Sequence, residues 1–419
     1  MKTFAIHTLG CKLNFSESSN MARLLSDAGF VRSSNETPDI LIVNSCAVTA
    51  TAVKKSRALV TRLHRQFPDA EIIVIGCLPA LHPEILQQWE GVSAVFDSAN
   101  KTQAVDYITG KTPVKGARFV SAYSSGDRTR SFLKIQDGCD YHCSYCTVAK
   151  ARGESRSDTI AHVLTQIENI ARLDMKEVIL TGVNVGDFGK EHGETLFMLL
   201  QSIEKQNIIP RIRLSSIEPN LLTNPIIDLF AESSILMPHF HIPLQSGCNR
   251  VLSLMRRRYS RELFKEKVLK IKSLMPHACV AADVIAGFPQ ESNEDFNETF
   301  LFIKSLPISY LHVFSYSRRE NTPAADMPPV PYPVKYDRTQ LLLQYSKMLH
   351  ATFYREHIDE TRPVLFESEN TRGLLQGFTD NYLRVNIPYD EKRVNCISNM
   401  KLSREILVFP EEDGQFPGL

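Results

Sequence analysis

The sequence predicts an α/β protein with three domains: a parallel α/β domain over residues 1–120, a partial (βα)6 barrel over residues 130–356 and a small β-barrel over residues 357–419. Two observations carry this division. Apolar segments alternate with amphipathic segments through most of the chain, which is the pattern of repeated βα units. After a proline-rich segment and one long helical run, this alternation stops. The length of 419 residues and the 43% hydrophobic content allow two or three domains.

The first region contains three strand candidates separated by two helix candidates. The strand candidates are FAIHTLG, ILIVNSC and EIIVIGC, and the helix candidates are SSNMARLLSDAGF and TAVKKSRALVTRLHRQF. A βαβαβ order of this kind favours a parallel sheet covered by helices.

The second region contains six further strand candidates, each followed by a helical segment. They are SFLKIQDG, EVILTGVNVGDF, RIRLSSIEP, HFHIPLQSG, VAADVIAGFP and YLHVFSYS. A βα repeat of this length predicts a full or partial barrel, whose chemistry lies at the C-terminal ends of its strands. Beyond NTPAADMPPVPYPV and TQLLLQYSKMLHATFYREHI, the pieces VLFESE, LLQGFTDNYLRVNI and REILVFP predict the short strands of a small β-barrel.

Composition restricts the class of protein. No apolar run reaches the roughly 18 to 20 residues that cross a bilayer, and the first hydrophobic stretch is too brief for a secretory signal. We therefore expect a cytoplasmic protein with no membrane partner. In a reducing compartment, nine cysteines indicate metal ligation or redox chemistry rather than disulfides. The net charge of +1 means that a nucleic-acid partner would have to bind local basic patches.

The densest cysteine motif is CxxxCxxC, formed by Cys139, Cys143 and Cys146 just after the first barrel strand. Three thiolates can hold three irons of a 4Fe-4S cube and leave the fourth iron open to another ligand. The alternative is a zinc site with His142 as the fourth ligand.

A second triad is formed by Cys11, Cys46 and Cys77, each at the C-terminal end of a predicted strand. Adjacent parallel strands would bring all three to the binding edge of the sheet, where a second cluster with an open iron is expected. The alternative is three unliganded core cysteines. The remaining cysteines have no partner at ligand spacing and are interpreted as structural thiols: Cys248, Cys279 and Cys396.

The CxxxCxxC motif followed by a six-unit barrel resembles the radical S-adenosylmethionine superfamily. The resemblance implies that the amino and carboxylate groups of S-adenosylmethionine chelate the open iron. It also implies that an electron from the reduced cluster cleaves the cofactor to a 5'-deoxyadenosyl radical. A reductant such as flavodoxin or ferredoxin would supply that electron.

A closer resemblance runs through nearly the entire chain. TLGCKLN, NSCAVT and IGC, ahead of DGCDYHCSYC, ARGESRS, LTGVN, HIPLQSG, IAGFPQES and FSYSRRENTPA, resemble the methylthiotransferases. TLGCKLN and FSYSRRENTPA are most similar to the branch that acts on threonylcarbamoyladenosine beside the anticodon of tRNA. The C-terminal β segment resembles a TRAM domain, an RNA-binding module. One departure is the segment 147–150, TVAK, where many members have a proline and an aromatic residue.

The resemblance implies a reaction with two clusters. The second cluster carries an added sulfur that one S-adenosylmethionine methylates, and a second S-adenosylmethionine yields the radical that removes hydrogen from C2 of adenine. The methylthio group then transfers to that carbon. Two alternatives are methylthiolation of a ribosomal-protein aspartate, as in a related branch, and an iron-sulfur RNA-binding protein with structural clusters.

Other residues are candidate contacts to the cofactor. Tyr145 occupies the position where the superfamily commonly has an aromatic residue near the adenine, although it could equally cover the cluster. The barrel strand ends supply further candidates: Gly182, Asn184, Glu218, Gln245, Ser246, Gly287 and Phe314. Phe314 and Tyr316 could flank the adenine or belong to the core. His239 and His241 alternate along one strand, are expected to face the barrel interior, and are assigned to no metal.

Basic residues could bind tRNA phosphates, unless they are ordinary solvated groups. Near the cluster edge these are Lys54, Lys55, Arg57, Arg152, Arg156, Arg256, Arg257 and Arg258, and in the last region Arg384, Lys401 and Arg404. Phe378 and Tyr382 could stack on a base, with core packing as the favoured alternative.

Overall fold

The computed structural model describes residues 1–33, 37–47, 49–112, 119–125, 129–369 and 373–410. Its first part contains β1 (Thr3–Thr8), α1 (Lys12–Asp27), β2 (Val31–Arg32), β3 (Ile40–Ser45), α2 (Ala50–Gln66), β4 (Glu71–Gly76), α3 (Cys77–Leu81), α4 (Pro83–Leu86), β5 (Val92–Asp97) and α5 (Gln103–Thr109). The five strands form a parallel sheet in the order β2-β1-β3-β4-β5. The three predicted strands are confirmed as β1, β3 and β4, and the two edge strands add to them.

This sheet has a helix layer on each face. Alternate residues of β3 point in opposite directions, so Leu41 and Val43 pack with Leu63 of α2. Ile42 packs on the other side with Leu25 of α1. Because both faces are covered, the central strands β3 and β4 are mainly apolar and almost entirely buried, as expected for a parallel sheet.

The second part of the chain contains the predicted barrel strands and their helices. These elements are β6 (Ala122–Tyr123), β7 (Arg130–Lys134), β8 (Gln136–Asp137), α6 (Val148–Arg152), β9 (Arg156–Ser157), α7 (Ile160–Arg172), β10 (Glu177–Thr181), α8 (Leu196–Gln206), β11 (Arg211–Leu214), α9 (Asn224–Glu232), β12 (His239–Gln245), α10 (Asn249–Leu254), α11 (Arg261–Leu274), β13 (Cys279–Ala286), α12 (Asn293–Lys304), β14 (Tyr310–Ser315) and α13 (Tyr332–Glu356). The six predicted strands are β7 and β10 to β14.

These six strands run parallel to their neighbours in two sheets that continue into each other, and the short strand β6 pairs antiparallel at the edge of the first sheet. The strand orders are β11-β10-β7-β6 and β12-β13-β14, and an isolated parallel bridge between Ser216 and His241 links the two. One face of the strands packs against the helices in a single apolar core. The other face forms the barrel interior and is largely polar. On β7, for example, Leu133 belongs to the apolar core, whereas its neighbours Arg130 and Lys134 lie on the interior side.

The last part is a four-stranded antiparallel sheet made of β15 (Thr361–Glu369), β16 (Leu374–Thr379), β17 (Arg384–Pro388) and β18 (Ile397–Lys401). The strand order is β17-β16-β15-β18, and among the described residues no pairing of strands closes it into a barrel. The prediction of REILVFP as a strand was wrong, since this segment makes only one isolated bridge, between Leu407 and Val385. The true fourth strand is an edge strand with mostly exposed side chains, so its hydrophobic pattern was weak.

The antiparallel sheet covers the N-terminal end of the barrel. Arg211, the first residue of β11, donates to the carbonyl oxygen of Phe378 at 3.0 Å. Arg213 donates to the carbonyl oxygens of Asp380 at 2.7 Å and Thr379 at 2.8 Å. The buried carboxylate of Glu177 lies 2.9 Å from Arg213 and offsets part of this positive charge. The opposite end of the barrel therefore remains for the cluster loops.

Helix α1 lies beside β6 and β7, so the first part of the chain rests on the barrel at the edge of its first strand. Phe15 meets Phe132 edge to face, with ring centroids 5.8 Å apart. Among the described residues, no helix combines the length and the apolar character needed to cross a membrane.

Candidate functional site

The N-terminal triad meets at one edge of the parallel sheet. Strands β1, β3 and β4 are direct neighbours, and Cys11, Cys46 and Cys77 follow their C-terminal ends. Gly10 has φ +107°, and a Cβ placed on it would lie 2.8 Å from the Cβ of Cys46. Gly76 has φ +110°, and a Cβ there would lie 2.6 Å from a backbone oxygen of the neighbouring strand. Glycine before two of the three cysteines thus allows the loops to approach each other.

The exposure of Cys11 favours a ligand site over core packing. Cys11 is exposed, whereas Cys46 and Cys77 are buried. A thiol with a packing role alone would be expected inside the core. Cys77 also accepts a long hydrogen bond from Ser98 Oγ at 3.7 Å. The arrangement suits three thiolates that hold one inorganic cluster at the sheet edge.

The CxxxCxxC loop holds its sulfurs with directed donors. The backbone N–H of Tyr141 donates to Cys139 Sγ, and that of Val148 donates to Cys146 Sγ, both at 3.4 Å. Arg257 Nη1 donates to Cys143 Sγ at 3.2 Å. Donors of this kind stabilise thiolates, which are the form that binds iron.

Neither cysteine triad has the compact spacing of a tetrahedral zinc site. Zinc–sulfur bonds of 2.3 Å in a tetrahedron place the sulfurs about 3.8 Å apart. Two groups of three ligand atoms within 4.8 Å of one another occur in the described part of the chain, and neither cysteine triad is among them. His142, the alternative fourth zinc ligand, is exposed. The zinc alternative therefore has no support in the described part of the chain.

Burial controls the protonation of the loop thiols. It raises the pKa of Cys139 to about 12 and that of Cys146 to about 11. Burial also raises the pKa of Cys143, although the charge of Arg257 acts in the opposite direction. Iron must therefore displace protons as it binds, which makes cluster assembly dependent on pH.

Arg257 and Glu218 form a buried pair beside the loop. The Arg257 side chain is 5% exposed and is paired with Glu218, one of the predicted cofactor contacts. Burial raises the pKa of Glu218 against the opposing charge of Arg257. The prediction of Arg257 as a phosphate contact was wrong, because its guanidinium is committed to Cys143 and Glu218 inside the barrel mouth. Arg256 and Arg258 on either side of it are exposed.

Several predicted cofactor contacts lie at the barrel mouth with their side chains already engaged. Tyr145 packs edge to face on Phe288 with ring centroids 6.1 Å apart. The backbone N–H of Asn184 donates to Gln136 Oε1 at 2.7 Å, and a Cβ on Gly182 would lie 2.8 Å from that oxygen. The space beside Gly182, a predicted cofactor contact, is therefore occupied by Gln136, whose amide nitrogen donates to the carbonyl oxygen of Gly138.

The remaining predicted contacts divide into buried and accessible groups. Ser246 is fully buried and its hydroxyl lies 3.0 Å from that of Thr299, so its side chain is part of the fold rather than free for a ligand. A Cβ on Gly287 would lie 2.4 Å from Lys335. Phe314 is 37% exposed at the barrel mouth, whereas Tyr316 is buried in the core. Gln245, at the end of β12, has a left-handed backbone with φ +62°.

A buried ionic network joins the two cysteine-bearing parts of the chain. We call it the Glu17 network and define it by Glu17, Lys101, Lys134, Asp137 and Arg152. Arg152 donates to Glu17 Oε1 at 3.1 Å and to Asp137 Oδ1 at 2.9 Å, and Lys134 lies 3.1 Å from Glu17. Lys101 is also paired with Glu17. The prediction of Arg152 as a phosphate contact was wrong, because it is 4% exposed and its charge is neutralised internally.

Sequence reasoning missed this network. Its members are up to 135 positions apart, and no local motif connects them. Burial alone would raise the pKa of Glu17, but the charges of Arg152, Lys101 and Lys134 hold it well below its ordinary value. Arg156 is also bound to the network, at 3.1 Å from Asp137, and is therefore not a free phosphate contact.

The basic face of α2 does remain accessible. Lys54, Lys55 and Arg57 are exposed, and Arg62 and Arg65 extend the same surface toward the end of the helix. Most of them line one shallow groove along the helix.

In the antiparallel sheet, the aromatic residues proposed to stack on a base are internal. Phe378 is 8% exposed and stacks on Tyr382 at 5.2 Å, with Arg130 over its ring at 4.3 Å. The favoured core alternative is therefore right, and these rings fill the N-terminal end of the barrel. Lys401 is paired with Asp359 at 3.1 Å on the surface.

The last two cations predicted to contact tRNA lie near aromatic rings, and two of the three isolated cysteines are buried. Arg404 is exposed and lies 3.8 Å over the Phe409 ring, and Arg384 lies 6.0 Å from the centroid of Phe378. Cys248 and Cys279 are buried, as expected of structural thiols, whereas Cys396 is exposed.

Comparisons with known proteins agree with this geometry. Residues 3–97 match the Uncharacterized protein family UPF0004, and residues 133–303 match the Radical SAM superfamily. The chain is 36% identical to a threonylcarbamoyladenosine tRNA methylthiotransferase of Bacillus subtilis, over 99% of this chain and 96% of the relative. It is 34% identical to a tRNA-2-methylthio-N(6)-dimethylallyladenosine synthase of Pelotomaculum thermopropionicum, over 89% of this chain and 88% of the relative.

A solved structure supports the fold. The radical S-adenosylmethionine methyltransferase TsrM from Kitasatospora setae superposes with a TM-score of 0.58 at 15% identity, and the match covers 78% of this chain and 77% of that one. At this identity the likeness concerns the fold alone. The full-length relatives carry the conclusion about the family. The chain therefore belongs to the tRNA methylthiotransferase family within the radical S-adenosylmethionine superfamily.

Proposed function

We propose that this protein inserts a methylthio group at C2 of N6-threonylcarbamoyladenosine next to the anticodon of tRNA, with two 4Fe-4S clusters and S-adenosylmethionine as cofactors. One observation carries the proposal. Helix α6 begins two residues after Cys146 and packs against α3, which begins at Cys77. The two triads are thereby held on neighbouring elements, as a reaction that uses both sites on one substrate requires.

The residues of the chain have distinct tasks in this proposal. When bound, the clusters and S-adenosylmethionine supply the sulfur atom and the radical chemistry. Cys139, Cys143 and Cys146 hold one cluster, and the triad of Cys11, Cys46 and Cys77 holds the other. The N–H donors at Cys139 and Cys146 and the guanidinium at Cys143 stabilise the thiolates that form when iron displaces the thiol protons.

The parts of the chain outside the two cysteine sites bind tRNA. The exposed cations of α2 bind tRNA phosphates, and residues 357–419 act as a TRAM-like module that uses Lys401 and Arg404. The domain boundaries proposed are 1–120, 130–356 and 357–419. The protein acts in the cytoplasm with a flavodoxin or ferredoxin as reductant, and Tyr145, Asn184, Glu218 and Phe314 lie next to the bound cofactor.

Nucleoside analysis tests the reaction. Mass spectrometry of tRNA from cells that lack this protein is expected to show threonylcarbamoyladenosine without its methylthio form, and the parent gene should restore that form. Restoration of methylthio-dimethylallyladenosine instead would assign the activity named for the second relative. A methylthio group found on a ribosomal-protein aspartate, with tRNA unchanged, would refute the proposal.

Iron content tests the two sites. Anaerobically reconstituted protein should hold about eight irons, because each triad is proposed to hold one cube. Alanine at Cys11, Cys46 and Cys77 should halve that content and leave some uncoupled 5'-deoxyadenosine formation. Alanine at the three loop cysteines should abolish that formation. A full iron complement in the first variant would place the second cluster elsewhere.

A further inference from the structure

A polar cluster in the barrel interior has no place in the chemistry described above. His241 of β12, Asp283 of β13 and His312 of β14 project to the interior side of three neighbouring strands. His241 Nε2 lies 2.6 Å from Asp283 Oδ1, and the two imidazole rings are 4.7 Å apart. We call these three residues the interior triad.

The interior triad is accessible, unlike the opposite face of the same strands. The His241 and Asp283 side chains are 20% and 16% exposed although they lie inside the barrel. Ile242 and Val284, their neighbours on the outer face, are fully buried against the helices. Exposure of interior side chains indicates a chamber that a ligand can enter.

The chamber lies next to the CxxxCxxC loop. Arg257 Nε donates to the Tyr259 hydroxyl at 3.2 Å, and that hydroxyl donates at 2.6 Å to the carbonyl oxygen of Pro243, the residue paired with Asp283 across β12 and β13. Arg257 itself donates to Cys143 Sγ at 3.2 Å. A group held by the interior triad would therefore be close to the site of radical chemistry.

The second cysteine edge supplies a cation at the side of the barrel where α1 packs. Lys12 is the first residue of α1, which lies beside β6 and β7, and Phe15, one turn later on the same face of the helix, meets Phe132 of β7 with ring centroids 5.8 Å apart. Lys12 follows Cys11 directly, is exposed, and forms no ion pair with any other described residue. Burial lowers the pKa of His312 to about 4, and the positive charge of Lys12 contributes to this shift. His312 is thus a neutral donor or acceptor near neutral pH, and Lys12 supplies the positive charge.

A buried histidine further inside the barrel has ring nitrogens that lack hydrogen-bond partners among the described residues. His239 is 6% exposed, stacks on Tyr382 at 4.4 Å, and has no hydrogen-bond partner on either ring nitrogen in the described structure. Buried nitrogen atoms of this kind are normally paired with a polar group or an ordered molecule. A hydrocarbon substituent in the chamber would leave these groups unpaired.

We propose that Lys12 and the interior triad bind the threonylcarbamoyl substituent, and that they select it over an apolar substituent on the same base. This inference rests on the proposed function. Lys12 pairs with the threonine carboxylate, whereas Asp283 and His312 hydrogen-bond to the hydroxyl and amide groups. A carboxylate and a hydroxyl satisfy this mixed set of donors and acceptors, which a dimethylallyl group cannot do.

The test uses two synthetic anticodon stem-loops that differ in one charge. One carries N6-threonylcarbamoyladenosine and the other its threonine methyl ester. We expect the cluster-loaded parent to bind the acid about tenfold more tightly than the ester, as for one charge-assisted hydrogen bond. The Lys12→Gln variant should bind the two within about twofold of each other. Lys12→Arg should retain the preference, because it keeps the cation.

Both dissociation constants are measured by fluorescence anisotropy on the same protein preparation. Partial loss of cluster or fold therefore affects both constants alike and cancels in their ratio. The matched control is Lys205→Gln on the exposed side of α8, which should leave the ratio at its parent value. Retention of the tenfold preference in Lys12→Gln would overturn the proposal.

Three other results would also overturn it. If the parent protein methylthiolates both stem-loops and binds them with equal affinity, selection of the carboxylate is refuted, whereas the proposed function stands. Zinc or iron that is lost specifically on His312→Gln would show that the interior triad is a metal site instead. A parent with no activity on either stem-loop would refute the proposed function as well.

Discussion

Replacing Glu17 by glutamine is expected to destabilise the folded protein by about 3 to 5 kcal/mol, the usual cost of removing one partner from a buried ion pair. Glutamine preserves the size of the side chain and one acceptor oxygen, so the lost quantity is the negative charge. In the Glu17 network this leaves Lys101, Lys134 and Arg152 buried with Asp137 as the remaining carboxylate. Typical domains have a total stability of about 5 to 15 kcal/mol, so the change is readily measured.

The assay is urea unfolding of the cluster-free protein at pH 7, followed by far-ultraviolet circular dichroism. The matched control is Glu191→Gln, an exposed carboxylate outside the network, which should change the unfolding free energy by no more than about 0.5 kcal/mol. Because Glu17 comes from α1 and Arg152 from the barrel, the variant should also uncouple the two parts. A loss below about 1 kcal/mol in Glu17→Gln would refute the view that this carboxylate holds the three cations in place.

Three further predictions concern the pH dependence of the Glu17 network, the glycine beside the second cysteine triad and the basic face of α2. The folded-state pKa of Glu17 is lowered well below 4.5 and that of Asp137 to about 2, so their stabilisation is complete above the unfolded pKa. The stability difference between the parent and Glu17→Gln should therefore shrink as pH falls from about 5 toward 2 in urea titrations, and a constant difference would contradict the linkage. Gly10→Ala should lower reconstituted iron toward half, because its methyl group would lie 2.8 Å from Cys46, whereas Gly110→Ala has open space and should keep full iron. Changing Lys54, Lys55 and Arg57 together to glutamate should weaken tRNA binding most at low salt in filter-binding assays, and an unchanged salt slope would remove α2 from the interface.

The positions of both cysteine triads could be predicted from the sequence because each follows a local rule. Cys139, Cys143 and Cys146 are only a few residues apart, and a loop can bring them together without help from the rest of the chain. Cys11 and Cys77 are far apart, but each ends an apolar strand, and neighbouring parallel strands end at the same edge of a sheet. The glycine before each of these two cysteines was a further signal in the sequence, and its meaning depends on the approach of the adjacent loop.

Other assignments from the sequence failed where the environment of a side chain, rather than its type, determines its role. Arginine side chains are typical phosphate contacts, yet Arg152 and Arg257 are both buried and paired with carboxylates. In each case the partner comes from a distant segment, and the pattern of neighbouring residues contains no information about it.

The sequence by itself determined the alternation of strands and helices, the two cysteine triads and, through the resemblance of its motifs, the family. These depend on hydrophobic period and on short spacings, which are local properties of a chain. Only the tertiary structure decided which charges are internal, how the Glu17 network joins α1 to the barrel, and that His241, Asp283 and His312 meet in the barrel interior. These depend on contacts between residues far apart in the chain, and such contacts form only when burial of the apolar faces fixes how the layers pack.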